Sequence, residues 1–569
     1  MTTTRSGFTK LAAVCIAILL GAVVWELGWP LTRAEHEWSR LIAAVATLGH
    51  LTGILGSYFR KEINRPSLRL LIFQIISCLM IFLLIAREQQ EAGYMRFTEL
   101  SRLMITAGLI AIPTLMSLTR IFEWLVGKQK KGRPLMAPAM QFVASLGVVI
   151  LAGTGLLLLP NSTYPGITLS FTDALFTSTS AVCVTGLNAV DFAHTFTPLG
   201  EMFTLALIQI GGFGIMTFAY FVAMVAGQGF SLRDRVLLTD LLDEGNLGAV
   251  VSFITTIVVS TLFIELCGAV LLYFSWEGKD INLMGEPLWW HSLFHSVSAF
   301  CNAGFSTFPM NLMEPGIRLC YSGQAVIMAL IVCGGLGFGI YKEINSRLAN
   351  RFFSKHRRLH MQWTPYFKLV MISTGILLAG GALAIFAVSS PHAAEPLGEH
   401  LWICLFDSVT ARTAGFNISD YGRYLPAASL IMCGLMMVGG SPGGTAGGMR
   451  TTTCAIAGAE ILRILRGRDH VEFFRRRIDQ RTAARCFTVL ICALEPSMSS
   501  LDIFFENCSA FATVGVSRGI TPDLSGPSKY LLIVNMLSGR VGLFAFLIAL
   551  AGTPTPRHYR YPSVKIPLT

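Results

Sequence analysis

Four short stretches of this sequence share a residue pattern that suits the coordination of a cation by main-chain oxygens. They lie at 175–187, 293–305, 405–416 and 504–516. Each opens with an apolar–Phe pair, continues through a Ser/Thr-Ala step and closes on a glycine with an apolar neighbour. The interval from Phe to Gly is ten residues in three copies and nine in the third. The four closing glycines are Gly186, Gly304, Gly415 and Gly515.

A cation that loses its water shell needs replacement oxygens, and backbone carbonyls supply them when several extended segments converge on one axis. Glycine allows the required backbone conformation without a Cβ clash. A short helix before each glycine can direct its negative C-terminal end at the ion. The residues predicted to bind the ion are Val184, Thr185, Gly186, Asn302, Ala303, Gly304, Thr413, Ala414, Gly415, Thr513, Val514 and Gly515. The alternative is a chance occurrence of small residues in packed membrane helices, which four ordered copies make improbable.

The composition requires these segments to sit in a membrane. The chain has 569 residues, of which 53% are hydrophobic and 14% charged, whereas soluble proteins carry about 25% charged residues. A soluble enzyme, a disordered protein and a secreted disulfide scaffold are excluded, and an all-α polytopic membrane protein is predicted. The 13 cysteines include no CxxC pair. We interpret them as small buried apolar residues, and we expect no cofactor in this chain.

Long apolar runs divide the chain into a leading segment and four repeats. Residues 1–134 hold four apolar runs, predicted to be N-terminal transmembrane helices. In each repeat a long run, a short motif segment and a closing run follow one another, and the closing runs include 319–341 and 426–464. This pattern predicts twelve spanning helices and four half-entering segments. The repeats are predicted at 135–235, 236–358, 359–470 and 471–569.

The positive charge follows the loops of a membrane protein. The net charge is +11, and basic residues collect in the links at 60–69, 128–133, 342–358 and 463–481. Lys and Arg are enriched in cytoplasmic loops, so both termini are predicted to lie inside. This bias explains the charge without a nucleic-acid partner, and membrane lipid is the expected surrounding.

One closing run is interrupted at 439–453 by glycines, Pro442 and threonines. Pro and Gly weaken a helix, so this segment is predicted to be a loop across the pore below the ring, a packing kink being the alternative. The predicted loop contains Gly443, Gly444, Thr445, Gly447 and Gly448. Arg540 sits mid-way along another apolar run, where an arginine is costly. We therefore expect it to face the pore and donate to carbonyls of the 439–453 loop.

At these residues the chain resembles the Trk/Ktr/HKT superfamily of potassium transporters, specifically its TrkH/KtrB-type pore subunits. The similarity covers about residues 139–552. It also includes Gln209 to Gly214 and Gly439 to Thr453. It implies four helix–pore loop–helix repeats around one pore and a potassium filter at the four closing glycines. It further implies that 439–453 and Arg540 form the gate.

The resemblance also bears on selectivity and partners. Sodium-preferring plant relatives carry Ser at the position of Gly186, so its glycine favours potassium as the transported ion. The family implies a homodimer and a cytosolic ring of nucleotide-binding RCK-type subunits. The basic links at 342–358 and 463–481 suit such a partner, and attraction to lipid headgroups explains them equally well.

Several alternatives stay open on the sequence alone. His295, Asp407 and Glu506 follow the motif Phe, where carboxylates either strengthen the cation field or bond to neighbouring pore-helix backbone. An alternating-access symporter coupled to sodium or protons would suit twelve spans, and a sodium-permeable family member is also possible. No enzyme motif is present. The run at 483–494 is only twelve residues long, which reaches ~18 Å against the ~30 Å of a hydrocarbon core.

Overall fold

The computed structural model describes residues 138–214, 250–353, 363–389, 396–455 and 498–541, the strand residues at 472–473 and 476–477, and scattered positions between 14 and 52. This part of the chain is helical apart from one strand pair, β1 (Glu472–Phe473) and β2 (Arg476–Arg477), which run antiparallel. The helices are α1 (Pro138–Leu157), α2 (Phe171–Cys183), α3 (Phe192–Thr195), α4 (Pro198–Phe213), α5 (Val250–Trp276), α6 (Leu288–Cys301), α7 (Pro315–Arg318), α8 (Tyr321–Gly335), α9 (Phe338–Phe353), α10 (Pro365–Val388), α11 (Leu397–Thr410), α12 (Pro426–Met437), α13 (Ser500–Ala512) and α14 (Gly526–Val541). Short 3-10 turns lie at Pro160–Ser162, Asn311–Met313 and Tyr421–Arg423.

Three successive units repeat one order of elements: a first helix, a short pore helix and a closing helix. They are α1, α2 and α4, then α5, α6 and α8, then α10, α11 and α12. The fourth unit shows its pore helix α13 and closing helix α14. Its predicted short first helix at 483–494, and most of 1–134, lie outside the described residues. The count of twelve spans and the repeat boundaries therefore stay predictions.

Two of the described helices are long and apolar enough to cross a membrane. They are Ile254–Trp276 within α5 and Pro365–Val388, which is α10, each with a mean hydropathy of 2.2. Large apolar side chains on α5 and α10 point away from the rest of the chain, including Phe263 and Ile376, each 66% exposed. Such an exposed apolar surface suits contact with lipid.

One closing run differs from the sequence prediction. The run at 319–341 was expected to continue as one helix, but α8 and α9 meet at a bend of 95°. Gly337 permits the bend with a φ of 92°, a conformation that disfavours other residues. The Phe338 amide donates to Gly443 O at 2.9 Å, so the bend is fixed by the glycine-rich segment of the third repeat.

Each pore helix is anchored in its own repeat by the side chain two residues after the motif Phe. Ser178, Ser296 and Ser408 donate to first-helix carbonyls of Ile150 (2.8 Å), Glu265 (2.6 Å) and Leu378 (2.8 Å), respectively. In the fourth repeat the same position is Asn507, which accepts from Asn535 Nδ2 of α14 at 2.9 Å. The motif phenylalanines are buried in the core around these contacts.

Candidate functional site: a ring of four backbone turns

Every pore helix ends in a left-handed turn at the same place in its motif. The residue two positions before each closing glycine has a positive φ although it is not glycine, and the glycine itself follows with a second positive φ. The values are Val184 58°, Asn302 60°, Thr413 68° and Thr513 52°, then Gly186 93°, Gly304 71°, Gly415 80° and Gly515 92°. Such conformations are uncommon in non-glycine residues. Their recurrence in four repeats shows that one backbone shape is maintained.

The four turns lie against one another and close a ring. No glycine leaves room for a side chain, because a Cβ would run into the backbone of the next turn. A methyl group would meet Ala303 O from Gly186, Gly415 Cα at 2.6 Å from Gly304, Val514 O at 2.7 Å from Gly415, and Thr185 O from Gly515. The contacts pass from the first repeat to the fourth and return to the first, so the turns surround one centre.

The amides of the first turn point back to its own pore helix. Thr185 N donates to Ser180 O at 2.7 Å and Gly186 N donates to Ser180 Oγ at 3.0 Å. A trans peptide directs its carbonyl opposite to its N–H. The carbonyls of Val184 and Thr185 therefore point away from the pore helix, and Thr185 O lies beside Gly515. Thr185 O would also lie 3.4 Å from a methyl group on Gly415 of the opposite turn, so this main-chain oxygen faces the interior of the ring.

A buried hydroxyl supports each turn, a role that was not predicted from the sequence. In the first and fourth repeats it accepts from the glycine amide, and in the other two it donates to the carbonyl after the glycine. The bonds are Gly186 N to Ser180 Oγ (3.0 Å), Ser298 Oγ to Phe305 O (2.8 Å), Thr410 Oγ1 to Phe416 O (2.5 Å) and Gly515 N to Ser509 Oγ (3.0 Å). The signal was present as the Ser/Thr-Ala step of the motif.

The motif of the third repeat is one residue shorter than the other three, and the structure differs from them at the end of the pore helix. Helix α11 stops at Thr410, and Ala411 keeps right-handed angles. Ala414 N donates four residues back to Thr410 O at 3.0 Å, whereas the corresponding amides of the other turns reach five residues back. Gly415 still joins the ring, so the shorter motif changes the helix end without displacing the glycine.

The side chains after the motif Phe brace the segment that follows each turn. Asp407 Oδ1 accepts from Tyr421 at 2.9 Å and its Oδ2 from Tyr424. Glu506 Oε2 accepts from Thr521 at 2.9 Å. Both carboxylates are buried. Each accepts hydrogen bonds from the segment that follows the turn of its own repeat, which we call the outer loop of that repeat. This arrangement matches neither expectation, since they neither face the ring as free acceptors nor bond to their own pore helices.

His295 occupies the equivalent place in the second repeat and reaches the same kind of partner. Its Nε2 lies 2.9 Å from Ser306 Oγ, two residues after Gly304. Its Nδ1 lies 2.8 Å from His291 O of the pore helix. His295, Asp407 and Glu506 therefore have the same structural role, because each links an outer loop to the pore helix of its repeat.

Arg518 lies three residues after Gly515 and links the fourth repeat to the third. Its Nε donates to Asp502 at 2.6 Å and its Nη1 to Tyr421 O at 3.0 Å and Ser429 Oγ at 2.5 Å. The guanidinium is thus engaged by partners from the third and fourth repeats. Asp420 caps a short turn by accepting from Gly422 N at 2.9 Å.

The glycine-rich segment lies against the pore-helix ends that carry the ring. Residues 438–450 form a loop, so the packing-kink alternative is wrong. Thr445 Oγ1 donates to Phe300 O at 3.2 Å. A methyl group on Gly447 would overlap Thr513 Oγ1, and one on Gly448 would lie 3.4 Å from Ala512 O. This segment is called the crossing loop below.

The crossing loop is held by backbone bonds to the α8–α9 bend. Ser441 N donates to Gly335 O at 2.9 Å and Thr445 N to Gly334 O at 3.2 Å. Gly443, with a φ of 70°, accepts from the bend through its carbonyl. A methyl group on Gly444 would lie 3.0 Å from Gly334 O. The loop therefore packs too closely against the second repeat for larger residues at this point.

Arg540 joins the crossing loop to the first repeat. Its Nη1 donates to Thr445 O and its Nη2 to Gly211 O of α4. The donation to a loop carbonyl is the contact expected from the sequence, and the bond to α4 was not foreseen. One side chain of the fourth repeat thus spans the first and third repeats on the side of the ring where the crossing loop lies.

Comparison with known proteins identifies the family of this chain. The family model for TrkH, a cation transport protein, matches residues 105–561. The chain belongs to the TrkH family. It is therefore a membrane cation transporter and not an enzyme.

Individual relatives of this TrkH-family chain cover most of its length. The Ktr system potassium uptake protein D of Bacillus subtilis is 32% identical over 76% of this chain and 97% of its own. The potassium/sodium uptake protein NtpJ of Enterococcus hirae is 32% identical over 77% and 99%. The crystal structure of the potassium transporter TrkH from Vibrio parahaemolyticus matches with a TM-score of 0.55 at 16% identity, over 95% of this chain and 98% of that one. This last likeness shows the fold.

Proposed function

We propose that the chain forms the pore of a potassium uptake system in the cytoplasmic membrane of a bacterium. The observation that carries the proposal is the closed ring of glycine turns with main-chain oxygen facing its centre. Carbonyl oxygens can replace the hydration shell of a potassium ion. The residues proposed to bind potassium are the twelve predicted from the sequence, three in each turn.

The relatives support potassium as the transported ion, and one of them keeps sodium open. The Bacillus subtilis protein is named for potassium uptake and the Enterococcus hirae protein for potassium and sodium. Gly186 favours potassium, because sodium-preferring plant members of the superfamily carry Ser at this position. Sodium permeation is therefore the second candidate, and a coupled symport mode is a further one.

Gating is assigned to the crossing loop and Arg540. The loop contacts pore-helix ends of the second and fourth repeats, and Arg540 binds it to α4. A guanidinium on the ion path repels cations. In the proposed mechanism, the loop with Arg540 blocks ions that pass the ring, and conduction requires both to move aside.

Cation flux into proteoliposomes tests the proposal. Potassium, rubidium and sodium influx are measured side by side for the unchanged chain and for Gly186→Ser. We expect potassium and rubidium influx to exceed sodium influx in the unchanged chain. The serine variant should lose most of this preference, because its side chain collides with the second turn.

Gly519→Ser is the matched control for this experiment. Gly519 has a φ of 92° like Gly515, yet nothing lies within 4 Å of its added Cβ. Both substitutions carry the same backbone strain, and only one disturbs the ring. Equal sodium and potassium influx in the unchanged chain, or an unaltered preference in Gly186→Ser, would contradict a potassium-selective ring.

The proposed setting follows the charge bias and the family. Both termini lie in the cytosol, since the basic links at 342–358 and 463–481 are on that side. The pore subunit works as a homodimer with an RCK-type nucleotide-binding subunit docked on those links. Pull-down of such a subunit by the intact dimer tests this part independently of ion flux.

A further inference from the structure

At each boundary between neighbouring repeats, a residue near the start of a closing helix makes a polar contact with the next repeat. The residue on the closing helix is the fourth of that helix in every repeat: Glu201, Gln324, Ser429 and Lys529. Each partner belongs to the next repeat around the ring. We refer to these four contacts as the joints.

The first two joints use a tryptophan indole as donor. Trp290 Nε1 donates to Glu201 Oε2 at 2.6 Å, between the second and first repeats. Trp402 Nε1 donates to Gln324 Oε1 at 2.5 Å, between the third and second. Both tryptophans lie four residues before the motif Phe of their pore helices, so the two joints are equivalent.

The other two joints use a cation and an aspartate. Arg518 Nη1 donates to Ser429 Oγ while its Nε donates to Asp502 at 2.6 Å. Lys529 Nζ donates to Asp173 Oδ1 at 2.8 Å, which closes the circle from the fourth repeat to the first. Asp173 and Asp502 each lie three residues before their motif Phe. Four different residue types therefore occupy the fourth position of the four closing helices.

The same closing helices also hold the other ends of the pore helices. A glycine follows each joint residue by ten positions: Gly211, Gly334 and Gly539 lie within their closing helices, and Gly439 follows the end of α12. In three repeats a methyl group there would overlap a carbonyl of the last pore-helix turn, from Val182, Phe300 and Phe511. The two levels are ~15 Å apart along a helix. Three of the pore helices are thus fixed near their C-termini by their own repeats, and all four are fixed near their N-termini by the preceding repeat.

We infer that the joints are specificity-determining positioning residues for ion selection. Two fixed points set the tilt of a pore helix, and the tilt sets where its terminal carbonyls point and how wide the ring is. Loss of a joint releases the N-terminal end of the pore helix, which can then tilt. The tilt changes the width of the ring, so discrimination between potassium and sodium falls. This inference rests on the proposed potassium pathway and names residues outside the ring that determine its selectivity.

The Glu201–Trp290 joint provides the sharpest test. Glu201→Ala and Trp290→Phe each remove one partner of the hydrogen bond, whereas Glu201→Gln keeps an acceptor oxygen, as Gln324 does naturally in the next repeat. We expect the ratio of potassium to sodium influx to fall about fivefold in the first two variants, the lower end of the range for coupling between separated sites. Glu201→Gln should retain most of the ratio.

The ratio is measured on one proteoliposome preparation, so it is independent of how much protein folds. Trp289→Phe is the matched control, because Trp289 neighbours Trp290 but is 36% exposed. Trp402→Phe removes the donor of the second joint at a half-buried position. This variant replaces the Glu201 variants in the test if they do not fold.

The outcomes separate this inference from the proposed function. An unchanged ratio in folded Trp290→Phe and Trp402→Phe overturns the joints as selectivity residues and leaves the potassium pathway standing. Equal loss in Glu201→Gln and Glu201→Ala overturns the role of the acceptor oxygen. Absence of potassium preference in the unchanged chain overturns the proposed function itself.

Discussion

At the scale of single residues, the site depends on small polar side chains that bond to the backbone of the turns. Ser180 and Ser178 lie two residues apart on α2, and both are completely buried. Ser180 accepts from the amide of Gly186, whereas Ser178 donates to Ile150 O of the first helix. One hydroxyl therefore supports the backbone of the ring, and the other supports packing between helices.

Removal of these hydroxyls separates the two roles. Ser180→Ala leaves the buried Gly186 amide without its acceptor, which costs about 1–3 kcal/mol, and the turn no longer holds its carbonyls in place. We expect the rise of the thermal unfolding temperature with added potassium to shrink, because an ion that binds only the native ring stabilises it. The measurement is thermal unfolding in detergent across a potassium titration.

Ser178→Ala is the control for that measurement. It should lower the unfolding temperature in the absence of potassium and keep the potassium-dependent rise. If both serine variants lose the rise to the same extent, the support of the turn by Ser180 has no special part in ion binding.

The sequence predicted the residues of the ring, but it did not predict the contacts of the neighbouring pore-helix side chains. The closing glycines were found because one requirement, a positive φ beside another backbone, selects one residue type. His295, Asp407 and Glu506 meet a looser requirement: they must reach an outer loop. Several side chains satisfy it, so their shared role emerged only from the contacts.

At the scale of elements, the crossing loop and α14 act on each other through Arg540. The guanidinium places one nitrogen on Thr445 O and another on Gly211 O. A planar fork with several donors can do this, while a lysine ammonium is a single point charge. Loss of the side chain therefore removes an anchor of the loop and, in the proposed gate, a positive charge from the ion path.

Substitution of Arg540 should make the pore leak. We expect basal potassium flux to rise roughly tenfold in Arg540→Ala, since a hydrogen bond from a charged group contributes on the order of 1.5–3 kcal/mol. Arg540→Lys should fall between this variant and the unchanged chain. Flux is measured in vesicles without any partner subunit.

Arg423→Ala provides the comparison for the gate variants. Arg423 pairs with Asp420 at 3.2 Å in an exposed position, with 79% of its side chain accessible, and such pairs contribute little. Its removal should leave basal flux unchanged. Unaltered flux in Arg540→Ala would take this arginine out of the gate.

The elements show where periodicity is informative and where it is not. The break of the third closing run was predictable, because glycines and Pro442 are concentrated there. The 95° bend after α8 was not, since the apolar run at 319–341 continues through it. The bend depends on Gly337 and on a hydrogen bond to Gly443, which lies far away in the sequence.

At the scale of the whole molecule, the four repeats form one ring although they differ in local chemistry. The sequence indicated fourfold repetition through the motif, and the turns do meet at one centre. The joints could not be predicted from the sequence, because the four closing-helix residues share a position but no residue type. These residues are Glu201, Gln324, Ser429 and Lys529. A position whose requirement is a hydrogen bond across a boundary is revealed only when both sides are placed.

The orientation of the whole molecule in the membrane gives a further prediction. Glu277 is exposed in the turn after α5, and Ser346 is exposed on α9 within the basic link at 342–358. Because basic links stay in the cytosol, we expect Glu277→Cys to react with a membrane-impermeant maleimide in intact cells. Ser346→Cys should react only after the membrane is opened. The unsubstituted chain reports the background from the native cysteines, and labelling of Ser346→Cys in intact cells would reverse the proposed topology.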